Sequence, residues 1–185
     1  MLKKTLIITA LFVSSHVMAS ESSAVAGGTI TFNGVVSDTT CDVTTNNGAD
    51  FTVNLSPITV NDVGEDKGVV TSNSKDFTMS LKNCSAADDD AKTLKVNFSS
   101  SNLSDDGKYL KNYSTEGAEG VGIALTSDGS TAIDFNSAFD TGLSSADVDG
   151  EGVTLTMHAN YYNYGGANVT SGKIITDATY SFSYD

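Results

Sequence analysis

Apolar side chains recur at alternate positions through a succession of short stretches of this chain. The first reads Gly28, Ile30, Phe32, Gly34, Val36 on one face, with Thr29, Thr31, Asn33 and Val35 on the other. Phe51, Val53 and Leu55 follow, then Phe77, Met79 and Leu81, then Leu94, Val96 and Phe98. Val121, Ile123 and Leu125 come next, and after them Val153, Leu155, Met157 and Ala159. The last stretch, Ile174, Thr176, Ala178, Tyr180, Phe182, Tyr184, runs almost to Asp185. A period of two marks half-buried β-strands. The turn-formers NNG, DDG, SDG, DVDG and YGG separate them, and the single proline, Pro57, closes the second. No amphipathic helix is predicted, and 99–120 reads as a long polar loop with weak edge pairing. The pattern therefore predicts an all-β antiparallel sandwich.

Two features of that pattern need explaining. The last strand stops at Asp185, so the sequence offers nothing to pair beside it, and a sandwich without its final strand leaves its core open and its edges prone to aggregate. At the other end, an alternating strand lies upstream of Cys41, where the domain itself should begin. Its inward row also contains Gly34, although glycine in a strand interior costs backbone entropy and packs nothing. One end lacks a strand and the other has a spare.

Residues 1–19 carry Lys3 and Lys4, a short apolar run over 6–13, and Val17-Met18-Ala19. This predicts a secretory signal cleaved after Ala19, since the run is too short to cross a bilayer as an uncleaved anchor. About 165 residues then remain, enough for one domain with a real core. Loss of the two lysines takes the formal charge from −13 to −15. Such acidity argues against nucleic acid or anionic membrane as partners, and membrane insertion is not expected. Cys41 and Cys84 remain as an even pair in an exported chain, most simply a disulfide, worth about 4 kcal/mol in the chain-entropy model. A metal site is not expected, because no His or further Cys lies near in sequence.

Taken in order, the signal, GGTITFNGVV before Cys41, the Cys41/Cys84 pair, the strand VTLTMHANYY and the ending SGKIITDATYSFSYD resemble the type 1 fimbrial (pilus) subunit family of the chaperone–usher pathway. The ending carries that family's terminal pattern in Gly172, Tyr180, Phe182 and the penultimate Tyr184, with Asp185 last. The Tyr-rich YYNYGG and the terminal Asp185 depart from it.

The resemblance implies an incomplete immunoglobulin-like sandwich lacking its C-terminal strand. The division it implies is a signal peptide at 1–19, an N-terminal extension at 20–37 and a pilin domain at 38–185. It further implies that a periplasmic chaperone lends the missing strand and holds the C-terminal carboxylate. At an outer-membrane usher, the extension of the next subunit takes over, giving a homopolymeric surface fibre by strand addition. Gly28, Ile30, Phe32, Gly34 and Val36 would be the inward residues of that donor strand, and Gly34 would sit where the groove is shallow. Burial of Ile30, Phe32 and Val36 would contribute roughly 5–9 kcal/mol. In the competing reading, the same segment is the first strand of its own closed sandwich.

Catalytic chemistry has little support. His158 is the one histidine beyond the signal, it lies on the polar face of its strand, and no nucleophile-elbow pattern accompanies it. The acidic stretch 147–152 resembles a calcium loop, but His158 stands where the closing bidentate Glu should be. No enzyme activity and no cofactor are therefore expected. Tyr161, Tyr162 and Tyr164 suggest either packing or, in an alternative reading as a single-domain secreted binding module, a lectin-like surface.

Overall fold

In a computed structural model, residues 40–44, 50–85, 93–148 and 152–184 are described. Their order is β1 (Thr40–Thr44), a single-turn helix α1 (Val60–Val63), β2 (Gly68–Ser85), β3 (Thr93–Ser99), β4 (Val121–Thr126), β5 (Phe139–Ser144), a 3-10 turn (Ser145–Val148), β6 (Val153–Asn163) and β7 (Thr179–Tyr184). All ladders are antiparallel, in one sheet ordered β1-β2-β6-β4 and a second ordered β5-β3-β7.

One hydrophobic core joins the two sheets. Register sets which face reaches it: Phe77, Met79 and Leu81 of β2 stand opposite Met157, Leu155 and Val153 of β6. The second sheet contributes Leu94, Val96 and Phe98 of β3, all buried. Outward positions pair through polar groups, as in Ser80 with Thr154 at 3.1 Å and Ser99 with Thr179 at 2.7 Å. That alternation of apolar and hydroxyl side chains is what a strand with one wet face requires. The result is the expected all-β immunoglobulin-like sandwich.

Four stretches differ from the periodic reading. All six residues of β4 are buried, because the 99–120 connection lies along it through the bridge Leu110↔Ile123. β5 is absent from the alternation, having Asp140, Thr141 and Gly142 between its apolar ends. Finally, Phe51–Leu55 and Ile174–Ala178, whose alternation predicts strands, lie in no ladder strand among the described residues.

Local anchors replace the missing ladder at 51–58. Thr59 caps α1 by accepting the Asp62 amide at 3.2 Å while Asp62 accepts the Thr59 amide at 3.3 Å, a reciprocal capping box. The β2–β6 register slips between Val70 and Lys75. Within that irregularity, Asn73 donates to the carbonyls of Ser56 at 3.1 Å and Pro57 at 3.2 Å. Tyr161 donates its hydroxyl to the same Ser56 carbonyl at 2.9 Å.

Candidate functional site

Many of the partly buried apolar residues that pack against the core lie along the seam between 51–58 and 174–184. On β7, Tyr180, Phe182 and Tyr184 stand opposite Phe98, Val96 and Leu94 of β3. Directly paired residues share a face of the sheet, so these three side chains point inward. Their partners are buried, whereas all three are only half-buried. Among the described residues, β7 is an edge strand of its sheet.

Across the seam, Phe51, Val53 and Leu55 are half-buried and alternate with exposed Thr52, Asn54 and Ser56. This is strand patterning in a segment that has no ladder with a described neighbour. Aromatic rings bridge the two sides: Phe51 lies 5.6 Å from Phe77 and 6.1 Å from Tyr180, which in turn lies 5.9 Å from Phe182. Ile58, Ile174 and Ala178 also pack, partly buried, against the core. Burial raises the Tyr184 hydroxyl above its ordinary pKa, in keeping with its inward placement. Thr176 Oγ1 is the buried side-chain oxygen without a hydrogen-bond partner among the described residues. A strand edge beside half-buried apolar rows can pair with one further strand, with main-chain hydrogen bonds for affinity and side chains for register.

Gly172, singled out in the sequence, lies just before the seam. A Cβ there would run into the Ala118 amide and the Gly117 carbonyl carbon, so the requirement is close backbone approach. Gly28, Ile30, Phe32, Gly34, Val36 and Asp185 lie outside the described residues. So do the side chains of Cys41 and Cys84. Their backbones lie on paired strands, β1 and β2, where the register slips between Thr40 and Asp42.

The tyrosines divide in use. Tyr161 is buried, and burial raises its pKa. Tyr162 and Tyr164 both stack on Tyr109, with centroids 4.7 and 4.9 Å away. Tyr109, which sequence periodicity did not reveal, is raised in pKa by burial and then by the Asp106 carboxylate. Ring faces engaged with one another are spent on packing. The neighbouring Asn163 is buried and bonds the Gly64 carbonyl at 2.8 Å and the Gly166 amide at 2.7 Å, which accounts for the YYNYGG sequence. His158 sits on the outer face, its Nδ1 2.7 Å from the Asp76 carboxylate directly opposite in register. That is an ordinary cross-strand pair.

The family model described as "Fimbrial protein" matches residues 30–185. The chain belongs to the fimbrial protein family. It is 31% identical over 179 residues to the F17 fimbrial protein of Escherichia coli, covering 94% of this chain and 97% of that one. To the major fimbrial subunit SMF-1 of Stenotrophomonas maltophilia it is 29% identical over 171 residues, covering 86% and 94%. The fold of this fimbrial chain is similar to that of a chaperone–usher pilus structure described for its rod uncoiling, with a TM-score of 0.56 and 19% identity over 86% of this chain and 96% of that one. It is likewise similar to the P pilus rod subunit PapA, with a TM-score of 0.53 and 21% identity over 86% and 100%.

Proposed function

We propose that this fimbrial chain is a structural, non-enzymatic subunit that polymerises into a surface fibre by donating its N-terminal strand to the seam of a neighbouring copy. The observation that carries this reading is the half-buried inward row Tyr180, Phe182, Tyr184, set beside fully packed β3 and facing the unladdered row Phe51, Val53, Leu55. The segment 20–37, with its alternating Gly28, Ile30, Phe32, Gly34 and Val36, has the pattern to fill it. In this reading the secretion signal sends the chain to the periplasm, a chaperone occupies the seam until assembly, and an outer-membrane usher directs exchange. Cys41 and Cys84 join β1 to β2 as a disulfide, limiting the unfolded chain during export.

Release of an inserted strand would expose the whole cleft at once, so the polymer should be held kinetically. Electrophoresis of surface extract with and without boiling in detergent tests this. A ladder that collapses to one band on boiling is expected. A single band in both lanes counts against assembly by strand insertion.

A further inference from the structure

Residues 173–175 form the approach to the inward row of β7, and one side chain fixes them there. Asn112 Nδ2 donates to the carbonyls of Ala118 at 3.1 Å and Lys173 at 2.8 Å. Its Oδ1 accepts the amides of Ser114 at 3.0 Å and Ile175 at 2.9 Å. Both amide hydrogens and both carbonyl lone pairs are thus engaged. The opposite amide orientation would set N–H against N–H and oxygen against oxygen, so the surroundings select this one.

Backbone contacts follow the same line. Ala118 donates to Lys173 O at 3.1 Å, Tyr113 to Ile175 O at 3.0 Å and Thr170 to Glu119 O at 3.0 Å. Gly117 and Gly172 let the two segments meet, since a Cβ on either would strike the other's backbone neighbourhood. The bridge Gly117↔Lys173 is parallel and isolated, so it has no ladder to reinforce it. Asn112 joins its two sides by hydrogen-bonding both.

We propose that Asn112 is a positioning residue for strand insertion, holding 173–175 extended so that the edge leading into β7 is already shaped when a strand arrives. This rests on the strand-insertion reading above. An edge ordered beforehand spares the incoming strand the entropy of ordering it. Asn112 therefore acts on the rate of uptake, through Lys173 and Ile175, without touching the inserted strand.

The test uses the full mature chain as wild type, Asn112→Ala and Asn112→Asp, with a dye-labelled synthetic peptide of residues 20–37. Uptake should slow about tenfold in Asn112→Ala while release from the filled protein stays within about twofold. Hydrogen exchange at the Ile175 amide should accelerate in parallel. Asn112→Asp keeps the acceptor but turns an anionic oxygen toward the Ala118 and Lys173 carbonyls, so it should slow uptake at least as much as Asn112→Ala; it decides the matter alone if the alanine variant does not fold. Wild-type uptake in a variant whose Ile175 amide exchanges faster overturns the positioning role and leaves strand insertion standing. Release that quickens as much as uptake slows marks a merely structural role and overturns it too. Refusal of the peptide by the wild-type chain defeats the strand-insertion reading itself, and the Asn112 proposal with it.

Discussion

Phe51 and Tyr180 bring their rings to 6.1 Å across a seam that, among the described residues, no ladder closes. They lie 129 positions apart in sequence, and each belongs to an alternating apolar row. Phe51 also touches Phe77 of the core at 5.6 Å, which makes it the link between the open edge and the packed interior.

Removing that link should show in stability. Phe51→Ala is expected to cost about 2 kcal/mol, below the full cost of a buried Phe because the side chain is half-exposed, and Phe51→Leu about 1 kcal/mol. Urea midpoints at constant slope measure both. A loss under about 0.5 kcal/mol in the alanine variant would mean that the ring is not part of the packing.

Thr176 offers the opposite sign. Its Oγ1 is buried without a partner among the described residues, and an unmet buried hydroxyl costs about 1–3 kcal/mol. Thr176→Val keeps the shape and deletes the polar atom, so it should raise stability by about 1 kcal/mol. A destabilised variant would show that the hydroxyl has a partner in solution. Thermal melting at one protein concentration distinguishes the two.

Two glycines should fail for different reasons. Gly172→Ala places a methyl against the backbone of Gly117 and Ala118, and the clash should cost about 1–3 kcal/mol, with β7 weakened along with it. Gly129 has open space around its Cβ position but a φ of +78°. Gly129→Ala should therefore cost only the left-handed penalty, about 1 kcal/mol. Gly172 has no left-handed φ, so a cost no larger than at Gly129 would show that the neighbouring backbone gives way to the added methyl.

The strands that were legible in the sequence are those with one face on the core. Phe77–Met79–Leu81, Leu94–Val96–Phe98 and Val153–Leu155–Met157 alternate because their other faces pair through Ser80, Thr154 and similar groups. β4 hid its full burial because Leu110, in the polar connection leading into it, folds back to cover it. The start of β2, Val69 to Asp76, carries no apolar alternation, and its irregular stretch supplies Asn73 to hold Ser56 and Pro57. Asn112 gave no signal either: two of its partners lie 61 and 63 residues away. Periodicity reports which face is wet, and it carries no record of long-range polar contacts.

Acid should weaken the fold. Asp128 accepts the amides of Thr131 and Ser130, which hold its carboxyl well below the usual range. The Asn136 amide does the same for Asp134, and the Ser144 amide for Asp147. Depressed native pKa values contribute stability that is complete above about pH 4 and is lost as pH falls through them. Tyr109 and Tyr161, raised by burial, contribute stability that is present below about pH 10 and is lost above it. Melting temperature should therefore form a plateau between these limits. Asp128→Asn keeps an acceptor without a titrating charge, and it should flatten the acid limb; an unchanged slope would assign that limb to other carboxyls.

Gly34→Val probes how the seam is filled. In the proposed inserted strand, inward positions alternate Ile30, Phe32, Gly34, Val36, so each must meet the space left between the 51–58 row and β7. That space is not uniform, because Phe51 and Tyr180 already approach within 6.1 Å. A branched side chain at an inward position must push such rings apart, and overpacking of this kind costs about 1–3 kcal/mol. A tenfold change in equilibrium corresponds to about 1.4 kcal/mol. Assembly should therefore drop at least about tenfold in Gly34→Val, and less in Gly34→Ala, while the unassembled subunit accumulates in the periplasm at its normal level. Unboiled surface extracts and periplasmic extracts, compared side by side, report both quantities. Normal ladders from the valine variant would place another residue at the narrow level and shift the register by at least one inward position. Loss of the subunit from both compartments would instead mean that Gly34 serves the chain's own fold.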